Sequence, residues 1–201
     1  MRKSLVLATL VVLVCSAAAF AGVPDPTRSG CALNAQPLAC QWRFRNDGNL
    51  DKLTLKVTLR DSFDAPVANC STACNLGAPS LVAKSCGGDR KVVTTTAGGV
   101  ANFVYRCIGG RGTVQLRVTS LCGAGPIGIC TKTITFTNPD LSGSRDTDNG
   151  ATNVIDLGIW SGGLPPAPYA LASDFDCNGA VNVIDLGVFA GGLTVNCTNC
   201  P

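Results

Sequence analysis

The chain has 201 residues, a formal net charge of +3, 12 cysteines and no histidine, and all 13 of its acidic side chains are aspartate. The lack of histidine excludes Ser-His-Asp catalysis, Cys-His catalysis and any histidine-bound metal centre. Two aspartates could in principle hydrolyse a glycoside, but the aspartates before residue 139 form no motif, so we expect a protein that is not an enzyme.

Residues 1–21 have the pattern of a secretory signal peptide. Arg2 and Lys3 are followed by an apolar run and by the small-x-small site AFA at residues 19–21. The apolar run is too short to predict a transmembrane helix, and no longer one follows. We therefore expect cleavage after Ala21 and a secreted chain, extracellular or at the cell surface, without a membrane span.

Eleven cysteines follow residue 21. In an exported chain without histidine, this number predicts a disulfide framework rather than a zinc site. Eight of the eleven precede residue 139, and their spacing alone leaves the pairing open. The simplest guess joins neighbours in sequence, Cys31 with Cys40 and Cys122 with Cys130.

An alternation of apolar and polar residues dominates residues 22–138. Lysine and threonine separate the apolar residues Leu53, Leu55, Val57 and Leu59, as in a strand with one buried and one solvated face. Comparable runs, separated by turns rich in glycine, asparagine, aspartate and proline, occupy residues 91–96, 100–107, 112–120 and 131–137. The pattern predicts an antiparallel β-sandwich.

Three stretches of this region, KVTLRDSFDAPVANC, TTTAGGVANFVYRC and GTVQLRV, resemble bacterial Ig-like domains of the surface-protein type. The resemblance covers about residues 50–137 and implies an Ig-like sandwich. Such a sandwich could bind carbohydrate through an exposed aromatic platform, for which Trp42 and Phe44 are the best candidates. The net charge of +7 over residues 22–138 is scattered along the strands, so we expect a solvated surface and no nucleic-acid partner.

The stretch DFDCNGAVNVID, residues 174–185, has the oxygen-bearing side chains of a twelve-residue calcium loop. Ca²⁺ takes roughly six to eight hard oxygen ligands, and alternate residues of a tightly turned loop point at one ion, with glycine at position 6 for the bend. Gly179 stands at that position. Cys177, at position 4, points away from the ion in this loop and could bond Cys197 or Cys200. The predicted ligands are Asp174, Asp176, Asn178, the Ala180 carbonyl, Asn182 and Asp185.

The segment after residue 139 contains an internal repeat. NVIDLGIWSGGL begins at Asn153 and NVIDLGVFAGGL begins at Asn182, 29 residues later, and the two copies differ at three positions. Internal repetition of this kind defines repeated structural units. We therefore expect a second calcium loop before residue 157.

The first loop is less regular, and two registers are open. One places a one-residue deletion opposite Cys177; the other puts Asp140 and Ser142 at positions 1 and 3, with five residues looped out. We favour the deletion because it is the smaller change. In either register we expect two calcium sites, the first weaker than the second. The ligands in the favoured register are Asp146, Asp148, Asn149, the Ala151 carbonyl, Asn153 and Asp156.

This loop-then-helix unit, closed by aspartate, resembles dockerin repeats, the calcium modules through which extracellular enzymes dock onto cohesin domains. The resemblance covers residues 139–201, whose net charge is −6, and implies a cohesin-like partner. In dockerins, loop positions 10 and 11 help to choose that partner. Here they are Val154-Ile155 and Val183-Ile184, which could form a partner surface or, as we expect in so small a unit, pack as its own core.

The sequence thus predicts a mainly β, disulfide-bonded, Ig-like sandwich at residues 22–138, followed by a small α dockerin-like module of two calcium loop-helix repeats at residues 139–201. We expect a secreted, non-enzymatic protein whose calcium-loaded module docks onto a partner protein or attaches the chain to a surface. Two alternatives stay open. One is a partner-free structural or adhesive protein in which calcium only stabilises the fold, and the other is a carbohydrate-binding sandwich.

Overall fold

A computed structural model describes residues 22–36, 40–44, 51–77, 82–85, 89–106, 108–141 and 152–193. The strands in these ranges are, in chain order, β1 (Gly30–Leu33), β2 (Trp42–Arg43), β3 (Leu53–Thr58), β4 (Ser71–Gly77), β5 (Val82–Ser85), β6 (Arg90–Thr94), β7 (Val100–Tyr105), β8 (Ile108–Ser120) and β9 (Ile127–Thr137). They form a three-stranded sheet in the order β1-β3-β7 and a larger sheet in the order β2-β9-β8-β4-β6, with β5 paired to β8. Every pairing is antiparallel except that of β2 with β9.

Alternation along β3 places one of its faces in the core. Leu53, Leu55 and Val57 are fully buried, whereas Lys56 is exposed. Burying a side chain of this size stabilises a fold by about 1.5–3 kcal/mol. The same core contains side chains of β8 in the other sheet, Val114, Leu116 and Val118. The two sheets therefore pack face to face, as the alternating pattern predicts.

Trp42 and Phe44 belong to this core rather than to the surface. Their side chains are only 2% and 0% exposed, and the Phe44 ring contacts that of Phe136, with 5.9 Å between ring centroids. Neither ring can stack on a sugar. The prediction of an exposed aromatic platform at Trp42 and Phe44 is therefore wrong, and with it the basis for a carbohydrate-binding sandwich.

Three disulfides join described cysteines that are distant in sequence: Cys31–Cys130, Cys40–Cys177 and Cys70–Cys122. The pairing of sequence neighbours is therefore wrong. Cys31 on β1 and Cys130 on β9 belong to different sheets, so their bond crosses the sandwich. Cys177 bonds Cys40 and not the C-terminal tail.

Helical structure after residue 139 is limited to short elements in the described part of the chain. Helix α1 (Val154–Ser161) and helix α2 (Val183–Ala190) have eight residues each, and a 3-10 turn covers Leu171–Ser173. The described structure is thus mainly β, and the prediction of an added α module of the dockerin type is wrong. Gly162 and Gly191 end the helices after about two turns, and helices this short depend on packing against other elements.

The segment between the two helices is attached to the sandwich through residues 171–177. The buried Gln41 side chain donates hydrogen bonds to the carbonyl oxygens of Leu171 and Asp174, each at 2.9 Å. The Thr137 hydroxyl, at the end of β9, donates to the Ala172 carbonyl at 2.6 Å. Together with the Cys40–Cys177 disulfide, these contacts hold the C-terminal segment against the edge where β2 pairs with β9.

The turn between β6 and β7 requires glycine at position 99. Gly99 has a φ of +73°, and a Cβ there would lie 2.5 Å from the Leu59 carbonyl oxygen. We expect Gly99→Ala to lower the free energy of unfolding in urea by roughly 1–3 kcal/mol. Gly98→Ala is the matched control, since its Cβ would meet Thr96 Oγ1 at 3.8 Å, and it should change stability by less than about 0.5 kcal/mol. Equal losses in the two variants would contradict this account.

Candidate metal site

Three carboxylates meet in the loop that precedes α2. Oxygen atoms of Asp174, Asp176 and Asp185 lie within 4.8 Å of one another, and Asp174 and Asp185 are fully buried. The ion pair present in the described ranges joins Arg43 to Asp51. No lysine or arginine of the described part of the chain therefore forms an ion pair with the three carboxylates.

Backbone N–H groups fix Asp185, which closes the loop. Its Oδ1 accepts hydrogen bonds from the amides of Phe175 and Asp176, at 2.6 and 3.2 Å. Its Oδ2 accepts from the Asn182 amide at 2.8 Å. Because the residue at position 12 binds the amides at positions 2 and 3, the two ends of the loop are joined through this one side chain.

Asp174, at position 1, accepts hydrogen bonds from three groups. The Asn178 and Gly179 amides donate at 3.2 and 2.9 Å, and the Tyr169 hydroxyl donates at 2.6 Å. Burial by itself raises the pKa of Asp174, but the hydrogen bonds from Tyr169 and the loop amides outweigh burial, and the net pKa lies below the ordinary value. The carboxylate at position 1 is thus held in its charged form.

Asp176 has the opposite shift. Burial, together with the negative charges of Asp185 and Asp174, raises its pKa despite the hydrogen bond from the Asn178 amide. Like charge adds to the effect of burial, because three carboxylates share one small volume. Such crowding is relieved when a cation binds between them.

Two residues in the left-handed region make the bend of the loop. Gly179, at position 6, has a φ of 88°, which glycine adopts without strain. Cys177, at position 4, has a φ of 59° and is tied to Cys40 by the disulfide. The side chain of Cys177 is therefore directed to the sandwich, consistent with the prediction that it points away from the ion.

The other predicted ligands, Asn178, Ala180 and Asn182, lie at the rim of the loop. Asn178 and Ala180 are exposed, and the Asn178 amide group donates to Asp176 Oδ2 at 2.8 Å. Asn182 caps α2, with its Oδ1 accepting from the Ile184 amide at 2.8 Å and its Nδ2 donating to the Ala180 carbonyl at 3.2 Å. The structure thus gathers the three aspartates, whereas the predicted ligand oxygens of Asn178, Ala180 and Asn182 accept hydrogen bonds within the loop and at the start of α2.

Only the end of the first repeat can be compared with this loop. Asn153 caps α1 by accepting from the Ile155 amide at 2.8 Å, and Asp156 accepts from the Asn153 amide at 2.8 Å. These bonds match those of Asn182 and Asp185 in the second repeat, and Asp156 is likewise fully buried. The other ligands predicted for the favoured register lie outside the described residues: Asp146, Asp148, Asn149 and Ala151.

One apolar cluster joins the two repeats, and its buried members are Leu141, Trp160, Phe175, Val181 and Phe189. Leu141 follows Asp140 as Phe175 follows Asp174, and both aspartates are fully buried. This correspondence favours the alternative register of the first loop, in which Asp140 stands at position 1.

The apolar pairs at loop positions 10 and 11 lie on the surface. Val154 and Ile155 are 77% and 61% exposed, and Val183 and Ile184 are 76% and 56% exposed. The expectation that these pairs pack as a core is therefore wrong. The core between the repeats is formed instead by the aromatic side chains of the two helices, Trp160 and Phe189, whose ring centroids are 6.2 Å apart.

Sequence reasoning missed three residues that shape the site: Tyr169, Gln41 and Cys40. The odd number of cysteines after residue 139 was a signal that one of them bonds elsewhere. Tyr169 and Gln41 had no comparable signal, because each reaches the loop only through the fold. In the structure, Tyr169 donates to the Asp174 carboxylate, and Gln41 donates to the Asp174 carbonyl.

The Tyr169 hydroxyl is expected to ionise at a higher pH than an ordinary tyrosine. Burial, the hydrogen bond to Asp174 and the nearby carboxylate charges raise the pKa of Tyr169 to about 12. Because the folded-state pKa is raised, the stability that this phenol contributes is complete below its unfolded pKa of about 10 and is lost as the pH rises through about 12. Burial also raises the pKa of Tyr105, the other tyrosine of the chain. Tyrosinate absorbance of the folded protein should therefore stay low between about pH 10 and 11.

Calcium provides the control for this titration. Bound Ca²⁺ cancels carboxylate charge and so should lower the pH at which Tyr169 ionises, while the Tyr105 titration stays unchanged. A tyrosinate curve that is identical with Ca²⁺ and with chelator would contradict the placement of Tyr169 beside an ion site.

No protein-family model matches this sequence, and no curated protein matches it. A solved structure with similarity is AggA, the major subunit of aggregative adherence fimbriae type I from Escherichia coli. It has 14% sequence identity and a TM-score of 0.33, and the match covers 58% of this chain and 98% of that one. At that level the match assigns neither a family nor a function. The resemblance of the loops to dockerin repeats and the cohesin-like partner stay predictions from the sequence. Within the described ranges, no helix has the length and apolar character needed to cross a bilayer.

Proposed function

We propose that this chain is an exported, non-enzymatic structural protein in which Ca²⁺, bound by residues 174–185, fastens the C-terminal segment to the β-sandwich. The observation that carries this proposal is the set of three carboxylates within 4.8 Å, two of them fully buried. Burying carboxylate charge is costly unless opposite charge accompanies it. No lysine or arginine in the described part of the chain forms an ion pair with these carboxylates, so a divalent cation is the fitting counter-charge.

The donor atoms select the kind of ion. All the candidate ligands are oxygens, which suit Ca²⁺ or Mg²⁺, whereas thiolate and imidazole ligands favour zinc and copper. Ca²⁺ holds its ligands at roughly 2.3–2.6 Å, so two ligands on opposite sides stand about 5 Å apart. The 4.8 Å limit on the spacing of the aspartate oxygens fits that diameter. Asn178, the Ala180 carbonyl and Asn182, the last through a water molecule, complete the expected oxygen set.

The role of the ion follows from what the loop contacts. The Asp174 carboxylate belongs to the ion site, while its carbonyl accepts a hydrogen bond from Gln41 of the sandwich. Cys177, inside the same loop, bonds Cys40. Ordering this loop therefore also orders the attachment of the C-terminal segment. A site filled at ten times its dissociation constant adds about 1.4 kcal/mol to the free energy of unfolding.

We include a second, weaker site in the first repeat. Its support is the matched capping arrangement of Asn153 and Asp156 and the burial of Asp156. The burial of Asp140 and Leu141 supports Asp140 as the ligand at position 1. With two sites filled, most of the negative charge after residue 139 is neutralised, which explains why that segment is acidic.

Calorimetric titration of the full exported chain with Ca²⁺, after metal removal by a chelator, tests the proposal. We expect two binding events of different affinity and a higher melting temperature in Ca²⁺ than in chelator. Mg²⁺ should bind more weakly, because it demands a smaller octahedral site. No heat of binding, together with the same melting temperature in Ca²⁺ and in chelator, would overturn the proposal.

A further inference from the structure

Strand β7 is the last strand of the three-stranded sheet in the described part of the chain, and the hydrogen bonds of β3 show which of its backbone groups face the free edge. Thr54 of β3 uses its backbone on the β1 side. Its carbonyl oxygen accepts from the Asn34 amide at 3.0 Å, and its amide donates to Asn34 Oδ1 at 2.7 Å. Thr54 is also the Cα partner of Val104 on β7. Directly opposite residues of an antiparallel pair exchange both hydrogen bonds or neither, so the backbone groups of Val104 point away from β3.

The same orientation recurs at every second residue of β7. Asn102 and Val100, like Val104, have backbone groups that face the free edge, because their pairs with β3 are of the same kind. The turn before β7 occupies the first of these three positions. The Val100 carbonyl oxygen accepts from the Thr96 amide at 2.9 Å, and the Val100 amide donates to Thr96 Oγ1 at 3.3 Å.

Lys91 occupies the last of the three positions, and it comes from the other sheet. It lies on β6 directly opposite the fully buried Cys74 of β4, and directly opposite residues project from the same face of a sheet. The Lys91 side chain therefore points inward, across the gap between the sheets. Its ammonium group donates to the Val104 carbonyl oxygen at 2.9 Å and lies 4.9 Å from the centroid of the Tyr105 ring.

We propose that Lys91 closes the β7 edge against strand pairing with a second copy of this chain. A strand edge presents N–H and C=O groups to which another strand can be added, and inward-pointing charged residues are one of the features that prevent this. Val100 and Val104 are engaged at the two ends of the edge, which leaves Asn102 between them. A second copy is the occupant that fits the edge, because two β7 strands can pair antiparallel about a twofold axis and supply each other's hydrogen bonds.

The variant Lys91→Met tests this proposal, since it removes the ammonium group and keeps most of the apolar chain beside Tyr105. We expect the mass of the full exported chain, measured by sedimentation equilibrium, to rise with concentration from the wild-type value toward twice that value. Lys56→Met is the matched control, because it removes the same charge from an exposed position of the neighbouring strand β3. It should sediment as the wild type does. A Lys91→Met variant that keeps the wild-type mass at every concentration would overturn the proposal.

A second substitution distinguishes strand pairing from association of a poorly folded chain. Asn102 is exposed, and its N–H group faces the free edge, a position at which edge strands tolerate proline. The double variant Lys91→Met/Asn102→Pro should return to the wild-type mass. Association that persists in the double variant would not use the β7 edge and would overturn the proposal.

Hydrogen exchange of the Asn102 amide, measured by NMR, provides a readout that does not depend on the proline. In Lys91→Met this exchange should slow as the concentration rises, because a second strand would then accept a hydrogen bond from the amide. Association of Lys91→Met with no change in the exchange rate of this amide would also overturn the proposal.

Discussion

Replacing Asp185 with asparagine is expected to abolish Ca²⁺ binding at residues 174–185 and to lower the free energy of unfolding in Ca²⁺ by about 2–4 kcal/mol. Asp185 is fully buried and uses both oxygens to accept three backbone N–H groups. Asparagine keeps one of these two oxygens. Its NH₂ group replaces the other and faces a backbone N–H group that then has no acceptor. It also removes one of the three charges that attract the ion. The loop therefore loses both its closure and much of its affinity.

Calorimetry and urea unfolding, each in Ca²⁺ and in chelator, measure this effect. In chelator the difference between the variant and the wild type should shrink, because neither holds the ion and the substitution relieves repulsion among the carboxylates. Asp64→Asn is the matched control: Asp64 is exposed, with a φ of 65°, a conformation that asparagine tolerates. Asp64→Asn should leave Ca²⁺ affinity unchanged. Wild-type affinity in Asp185→Asn, or an equal stability loss in Ca²⁺ and in chelator, would count against the ion site.

The loop was predictable because its chemistry is encoded locally. Asp174, Asp176 and Asp185 lie within twelve residues, and the left-handed glycine at position 179 can be read from its place between them. The strands were predictable for a similar reason, since alternation along β3 reports directly which face is buried. In both cases, the residues that act together are close in the sequence, and their spacing predicts how they are arranged.

The disulfides and the aromatic core were not predictable in this way. Cys31–Cys130 and Cys40–Cys177 span 99 and 137 residues, and such pairs are set by sheet order, which spacing does not contain. The i, i+2 spacing of Trp42 and Phe44 fits an exposed strand face as well as a buried one, but β2 pairs with β9 and both rings are buried. Long-range topology decided each of these positions.

The failed prediction of a C-terminal α module has the same origin. The repeat is real, and both helices begin with the same capping box at Asn153 and Asn182. What the repeat did not reveal is that Gln41, Thr137 and Cys40 of the sandwich hold the segment between the helices. The Val-Ile pairs are exposed because a different set of side chains forms the core between the repeats: Leu141, Trp160, Phe175, Val181 and Phe189.

Removing the Cys40–Cys177 disulfide by Cys40→Ser/Cys177→Ser is expected to weaken Ca²⁺ binding about tenfold, which corresponds to about 1.4 kcal/mol. Cys177 occupies position 4 of the loop in the left-handed region, with a φ of 59°, a conformation that serine adopts at a cost. Without the bond, the free-energy cost of this backbone conformation reduces the free energy with which the loop binds the ion. The disulfide closes a loop with a sequence separation of 137. Removing it raises the conformational entropy of the unfolded chain, which lowers the free energy of unfolding by up to about 5 kcal/mol.

The Cys70–Cys122 disulfide gives a matched comparison because it lies within the sandwich and its sequence separation is 52. Cys70→Ser/Cys122→Ser should lower the free energy of unfolding by up to about 4 kcal/mol and leave Ca²⁺ affinity unchanged, provided that both are measured at a temperature where the variant is folded. Calorimetry and urea unfolding of the two variants separate the effects. The loss of Ca²⁺ affinity should be confined to the disulfide that contains position 4, because of the three described disulfides it alone joins the ion loop to the sandwich. If both variants weakened Ca²⁺ binding equally, the lost affinity would be due to a general loss of stability and not to the missing attachment at Cys177.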